Sequence, residues 1–120
     1  MITETQSRAI QAADVLDKAA EHVLEVGLHK GYLYDEQQAR TGLPLRRCRV
    51  DVVGAILTAA YREPRYPSTD PVLNLTDVAL AALEEKVGKP LPAWNDAAER
   101  TVDQVFDELA ATAAQLRESA

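Results

Sequence analysis

The sequence holds a single cysteine, Cys48, so the chain cannot close a disulfide within itself. A lone cysteine is typical of proteins from reducing compartments. The amino-terminal segment carries acidic residues where a signal peptide would be basic. No window approaches the ~20 apolar residues of a membrane-spanning helix. We therefore expect a cytoplasmic protein without a membrane partner.

Aromatic residues are scarce, at 5% of the sequence, whereas alanine is abundant. Alanine is the strongest helix former and offers little side chain to pack between sheets. Few runs alternate polar and apolar residues with the period of two that is typical of strands. The 120 residues leave room for one domain that can bury a core without disulfides or metals. The composition predicts an all-α fold in a single domain, residues 1–120.

Positive charge is also limited, since 13 Lys and Arg residues stand against 19 Asp and Glu residues and the net charge is −6. Nonspecific nucleic-acid binding depends on basic side chains that displace counterions from phosphates, so a nucleic-acid partner is not expected. The charge is mild for an acidic mimic of DNA. Another protein is the expected partner, and a basic one is compatible with this charge.

Four segments repeat apolar residues at the spacing of amphipathic helices, which predicts an irregular four-helix bundle. They run from about Thr3 to Val26, Val50 to Arg62, Leu75 to Val87, and from Asp96 toward the carboxyl terminus. The second segment is apolar on nearly every side and is expected to be central. It contains Gly54, and glycine costs about 1 kcal/mol relative to alanine inside a helix, so another helix is expected to cross closely there.

The long segment between the first two predicted helices, residues 28–49, breaks the helical pattern, and only Asp35 to Arg40 could form a helical turn or two. A stretch of about twenty residues without regular structure is unusual in a compact domain. We expect it to be either functional or packed as an ordered lid. Tyr32, Leu33 and Tyr34 could anchor it to the core.

Arginines are concentrated in the same segment, where Arg46, Arg47 and Arg49 surround Cys48. In an acidic chain such a group could bind a phosphate or an acidic partner, and Tyr32 or Tyr34 could complete a pocket. The alternative is a solvated loop whose arginines pair with nearby carboxylates such as Asp35, Glu36 and Asp51.

Recognisable catalytic and metal-binding patterns are missing. The arginines would lower the pKa of the Cys48 thiol, but neither histidine is linked to it, so a buried thiol is expected. His22, Glu25 and His29 follow at helical steps, yet Gly27 interrupts their face and no further ligand completes a tetrahedron. Glycine-rich phosphate loops and nucleophile elbows do not occur. We assign no catalytic residue, metal or cofactor, and the sequence leans against an enzyme.

The most distinctive tripeptide is Trp94-Asn95-Asp96. Trp94 is expected to pack as a large anchor, while Asn95 and Asp96 satisfy free amides at the start of the last helix. Asp96 and Glu99 supply the D-x-x-E start signal of that helix. Pro90 and Pro92 are expected to keep the segment before the last helix non-helical. The alternative for the tripeptide is direct contact with a ligand.

These features resemble a small domain family of unknown function from actinobacteria and their phages. The residues that carry the resemblance are Gly54, Ala55, Ile56, Leu91, Pro92, Trp94, Asn95, Asp96, Arg100, Thr101 and Val102, the last three at the start of the final helix. Members of that family often have cysteine three residues before the glycine, where this chain has Asp51, so no shared catalytic thiol is implied. The resemblance implies fold and source, and it assigns no activity.

The leading hypothesis is a non-enzymatic protein-binding or regulatory module, such as a phage accessory protein. The apolar seam of the last predicted helix could serve a partner or a homodimer. The alternative is a small-molecule or nucleotide-binding protein, with or without enzymatic activity, that uses the Arg46–Arg49 loop. The candidate contact residues are Tyr32, Tyr34, Arg46, Arg47, Arg49, Trp94, Asn95 and Asp96.

Overall fold

The computed structural model describes residues 2–67 and 73–120. These residues form six α-helices and a 3₁₀ turn: α1 Glu4–Val26, α2 Glu36–Arg40, the 3₁₀ turn Leu45–Arg47, α3 Val52–Tyr61, α4 Leu73–Val87, α5 Leu91–Asn95 and α6 Val102–Ser119. The described residues contain no strand, and the predicted all-α class is confirmed. Within the same ranges no helix combines the length and the apolar character that a membrane span requires.

The central element is α1, which packs along α6 and also against α3 and α4. It begins at a capping box, in which the side chains of Thr3 and Gln6 accept hydrogen bonds from each other's backbone N–H groups. Its buried face is rich in alanine, which lets the neighbouring helices approach closely; the buried residues are Ala12, Ala13, Val15, Leu16, Ala19, Ala20 and Val23. Leu24 lies about 100° around the helix from Val23 and is 50% exposed.

The last helix begins at Val102 rather than at Asp96, so the predicted start signal was wrong. A capping box of Thr101 and Gln104 starts the helix. Four residues of the predicted apolar seam are buried in the monomer: Val105, Leu109, Thr112 and Ala113. The protein core therefore uses much of the surface that was expected to serve a partner.

The start of α4 and the segment before α6 also differ from the predictions. α4 begins at Leu73, two residues before the predicted start at about Leu75. Residues 91–95 form α5 although they contain Pro92, since Pro92 occupies the first turn, where its missing N–H group has no helical partner to lose. The segment between the second and the third predicted helix lies partly outside the described residues.

The segment between α1 and α3 is ordered, as predicted. It is held by backbone hydrogen bonds to the residues just before α3, including His29 N to Val50 O at 2.8 Å and Asp35 N to Arg49 O at 2.8 Å. The helical turn predicted near Asp35 is confirmed as α2, which the Asp35 carboxylate caps.

Gly54 lies where this loop crosses α3. A Cβ atom at this position would overlap the carbonyl oxygen of Leu33. The close neighbour of Gly54 is thus the backbone of the loop, and the expectation of a crossing helix was wrong.

Candidate functional site

Asn95 joins the loop that follows α1 to the start of α3. Its side chain is fully buried, and its Oδ1 accepts a 2.9 Å hydrogen bond from the backbone N–H of Val52, the first residue of α3. Its Nδ2 donates to the carbonyl oxygen of His29 at 3.0 Å and to Asp96 Oδ1 at 3.1 Å. Asp96 Oδ1 also accepts from the N–H of Gly31 at 3.0 Å. The prediction that Asn95 and Asp96 satisfy amides of the last helix was wrong, because those bonds go to α3 and the loop.

Trp94 is 5% exposed. The guanidinium of Arg100 lies 4.2 Å from the centre of the Trp94 ring, and its Nε donates to the Trp94 carbonyl oxygen at 2.9 Å. Trp94 and Asn95 are thus occupied by internal contacts, and Asp96 is the exposed member of the tripeptide.

Asp51 caps α3 from a nearly buried position. Its Oδ1 accepts a 2.6 Å hydrogen bond from the N–H of Gly54, and 5% of the residue is exposed. Burial raises the pKa of Asp51 to about 6, and the nearby charge of Asp96 adds to this, while hydrogen bonds from backbone N–H groups act in the opposite direction. Such a carboxyl is a candidate for acid–base chemistry where substrate can reach it. Here the backbone N–H of Asp51 donates to the Leu33 carbonyl oxygen at 3.2 Å, and the 5% exposure of the residue leaves its carboxyl little access to a substrate.

The arginines of the loop differ in whether they pair with a carboxylate. Arg49 pairs with Asp35, with Nη2 and Nε at 2.8 and 3.2 Å from Oδ2. This hydrogen bonding lowers the pKa of Asp35, against the opposing effect of its burial. Arg49 thus follows the local-pairing alternative, whereas Arg46 and Arg47 are exposed on the 3₁₀ turn.

Arg46 and Arg47 meet Arg62 in a cleft of about 480 Å³, which we call the arginine cleft. Its lining comes from α1, the 3₁₀ turn and the end of α3, and consists of His22, Glu25, Val26, Arg46, Arg47, Thr58 and Arg62. The sequence indicated Arg46 and Arg47 by their clustering. It gave no signal for Arg62, because only the fold brings that residue to the loop.

The three arginines of the cleft lack carboxylate partners. Elsewhere in the described ranges, carboxylates or an aromatic ring lie against five arginines: Arg8, Arg49, Arg65, Arg117 and Arg100. Arg46, Arg47 and Arg62 make no ion pair with any described residue, and neither does Arg40, which lies outside the cleft lining. Three of the four unpaired arginines therefore share one cleft.

Arg62 holds an unusual backbone conformation. It ends α3 in the left-handed region, with φ 69° and ψ 7°, and is the one residue other than glycine with positive φ among those described. The left-handed region costs a residue with a Cβ roughly 1–2 kcal/mol, a cost that glycine avoids. Strained residues are concentrated at functional sites, so Arg62 is a candidate functional residue.

His22 contributes no positive charge to the cleft at neutral pH. Its Nε2 is buried without a hydrogen-bond partner, so a proton there would be unsatisfied. Burial lowers the pKa of His22, although the charge of Glu25 opposes this shift. The positive charge of the cleft therefore comes from its arginines.

The remaining sequence candidates lie apart from the arginine cleft. Cys48 is buried, as expected, with Sγ 3.5 Å from the carbonyl oxygen of Pro44, and burial raises the pKa of its thiol instead of lowering it. Tyr32 and Tyr34 pack edge to face at 5.3 Å and do not line the cleft. His29 lies 4.0 Å from the Asp35 carboxylate, away from His22.

A family model described as a family of unknown function (DUF6197) matches residues 7–115. The matched region includes Asn95 with its partners and all residues of the arginine cleft. No curated protein and no solved structure matches the chain.

Proposed function

The chain belongs to the DUF6197 family of unknown function, and we propose that it is a non-enzymatic, single-domain binding module whose arginine cleft receives an acidic group of another protein. The observation that supports this is the convergence of Arg46, Arg47 and Arg62 without carboxylate partners in a chain of net charge −6. Adjacent guanidiniums repel one another, and a bound anion relieves that repulsion through charge-assisted hydrogen bonds.

The chemistry of arginine favours recognition over catalysis. A guanidinium stays protonated at physiological pH and presents a planar fork of N–H donors that matches carboxylate and phosphate groups. It provides neither a nucleophile nor a proton-transfer group. A cleft whose charge comes from three arginines is therefore suited to holding an anion.

The proposal includes a cytoplasmic location and a regulatory role, such as that of an accessory protein in an actinobacterium or its phage. The single cysteine and the resemblance noted above support these points. Fractionation of cells that express the tagged chain tests the location. Recovery in the cytoplasmic fraction is expected, and recovery with the envelope would contradict it.

A defined peptide pair tests the acidic-group proposal. Fluorescence anisotropy compares a labelled glutamate-rich decapeptide with the same peptide carrying glutamine at each glutamate. We expect the glutamate peptide to bind at least about tenfold more tightly, because charge-assisted pairs with arginine are stronger than neutral ones. Equal affinities would contradict the proposal.

The variant Arg62→Gly is suited to this test because glycine relieves the left-handed backbone while removing the guanidinium. We expect it to fold with unchanged or greater stability and to weaken binding of the glutamate peptide at least about fivefold. Arg40→Gln is the matched control, since it removes an unpaired arginine outside the cleft and should leave affinity unchanged. Retained binding in Arg62→Gly would place the binding surface elsewhere.

A small anionic molecule is the second candidate occupant of the same cleft. The observation that favours it is the cleft volume of about 480 Å³, which falls within the range of ligand pockets. Thermal-shift measurements with a panel of nucleotides and sugar phosphates test this candidate. A rise in Tm that Arg47→Ala abolishes, together with no binding of the acidic peptide, would favour a small-molecule function.

The homodimer expected through the last helix remains a prediction outside this proposal. Val105, Leu109 and Ala113 are buried in the monomer, so little of the α6 seam is left for a second copy. Sedimentation at two protein concentrations tests it, and a mass that rises with concentration would support the dimer.

A further inference from the structure

The charges that line the arginine cleft favour one class of anion. Three guanidiniums and one carboxylate, that of Glu25, face the same space. His22 adds no charge at neutral pH, because its buried Nε2 has no partner for a second proton. The lining thus carries a net charge of +2, which a group of charge −2 would neutralise.

The number of N–H donors in the cleft also favours a group of charge −2. A carboxylate has two oxygens and one negative charge, so it can satisfy one guanidinium fork fully. A phosphate monoester has three terminal oxygens and a charge of about −1.5 to −2 at neutral pH. Three guanidinium forks in the lining of one cleft therefore match a phosphate better than a single carboxylate.

We infer that the arginine cleft binds a phosphate monoester in its dianionic form. This rests on the proposed function and deepens it, since it names the chemical group that the cleft recognises. The cleft is larger than a phosphate group, so it leaves room for part of the molecule that carries the phosphate. That carrier is either a phosphorylated side chain of a protein or a small phosphate ester.

The inference predicts a specific pH dependence. The titratable groups that line the cleft are His22 and Glu25 from α1, Arg46 and Arg47 from the 3₁₀ turn, and Arg62 from the end of α3. The arginines stay charged, and the second ionisation of a phosphate monoester has a pKa of about 6. Affinity should therefore increase as the pH rises from about 5 to about 7.5, following the ligand. A site charged by histidine would show the opposite trend.

Phenyl phosphate and phenyl sulfate form a matched probe pair, because they have similar shapes and differ in the second negative charge. We propose to titrate each into the isotope-labelled chain and to measure Kd from amide chemical shifts. At about pH 7.5 we expect phenyl phosphate to bind at least about tenfold more tightly, and at about pH 5 the two affinities should converge. Equal affinities at the higher pH, or affinity for phosphate that falls as the pH rises, would overturn the inference.

Single substitutions test whether phenyl phosphate binds in the arginine cleft. Arg62→Gly and Arg47→Gln should each weaken binding of phenyl phosphate at least about fivefold, whereas Arg40→Gln should not change it. His22→Gln should keep the pH profile, since the titrating group belongs to the ligand. Chemical shifts that change around α4 and α6, with no effect of the cleft variants, would refute the assignment to this cleft.

A phosphoserine peptide distinguishes the two carriers and separates this inference from the proposed function. Binding of the peptide at least about tenfold tighter than phenyl phosphate would identify a protein segment as the source and support both proposals. Binding of phenyl phosphate without any peptide binding would support the inference and contradict a protein partner. Binding of the glutamate peptide without preference for phosphate over sulfate would overturn the inference alone.

Discussion

Asp51 combines a helix-capping role with the burial of a carboxyl group. Its pKa is raised from 3.8 to about 6, mainly by burial. The folded chain therefore binds this proton more strongly than the unfolded chain. The resulting contribution to stability is fully present below pH 3.8 and is lost as the pH rises through about 6.

Asp51→Asn should remove this loss, because the amide Oδ1 can still accept from the N–H of Gly54. At about pH 7.5 we expect the free energy of unfolding to exceed that of the wild type by about 1–3 kcal/mol, and below pH 3.8 the difference should vanish. Urea unfolding between about pH 3.5 and 8 measures it. Asp96→Asn, which removes only the neighbouring charge, should give a smaller increase. Lower stability of Asp51→Asn at about pH 7.5 would show that the buried charge is favourable.

Gly54 is required by the approach of the Leu33 carbonyl to α3. Gly54→Ala would gain about 1 kcal/mol of helix propensity but would force the loop away from the helix. We expect a net loss of stability of about 2 kcal/mol or more, measured by urea unfolding. Ala114→Gly at an exposed position of α6 is the control for propensity and should cost about 1 kcal/mol. A stabilised Gly54→Ala variant would mean that the loop does not pack here in solution.

At the scale of helices, the sequence predicts those elements whose ends and faces depend on local chemistry. The periodicity located the four long helices, and the local pairs Thr3–Gln6 and Asp35 with its following amides cap α1 and α2. The start of α6 was misplaced because two segments fit the same signal. Asp96 accepts a hydrogen bond from the N–H of Gly31, which is far away in sequence, and Thr101 caps the helix instead.

The candidate site could be predicted only in part, because it too depends on contacts between residues that are distant in the sequence. The clustering of Arg46 and Arg47 was visible in the sequence. The exclusion of Arg49 by its pairing with Asp35 depends on how the loop folds. The contribution of Arg62 depends on where α3 ends relative to that loop.

Asn95 is the side chain on which the joining of α3 and the loop depends. Asn95→Ala would leave the buried Val52 N–H and the partly buried His29 carbonyl without their partner. We expect a loss of about 2–4 kcal/mol in the free energy of unfolding, with faster hydrogen exchange at the Val52 amide. Gln104→Ala, which opens the exposed capping box of α6, should cost less than about 1 kcal/mol. Equal losses in the two variants would contradict the role assigned to Asn95.

At the scale of the whole molecule, the first and the last helix, α1 and α6, pack side by side. The radius of gyration is 13.8 Å, close to the value expected for a compact chain of this length. Two kinds of contact join the helices. Leu109 of α6 is fully buried in the core to which α1 also contributes, and Arg117 near the end of α6 pairs with Asp14 and Asp17 on the exposed side of α1.

The two kinds of contact are expected to contribute unequally to the free energy of unfolding. Leu109→Ala should lower the free energy of unfolding by about 2–5 kcal/mol, because it removes buried methyl groups and leaves a cavity. Arg117→Ala should have an effect near the limit of measurement, because water and salt screen its exposed ion pairs. In about 1 M sodium chloride the Arg117→Ala difference should disappear, whereas the Leu109→Ala difference should persist. If Arg117→Ala proved the more damaging change, the ion pairs and not the apolar seam would hold α6 against α1.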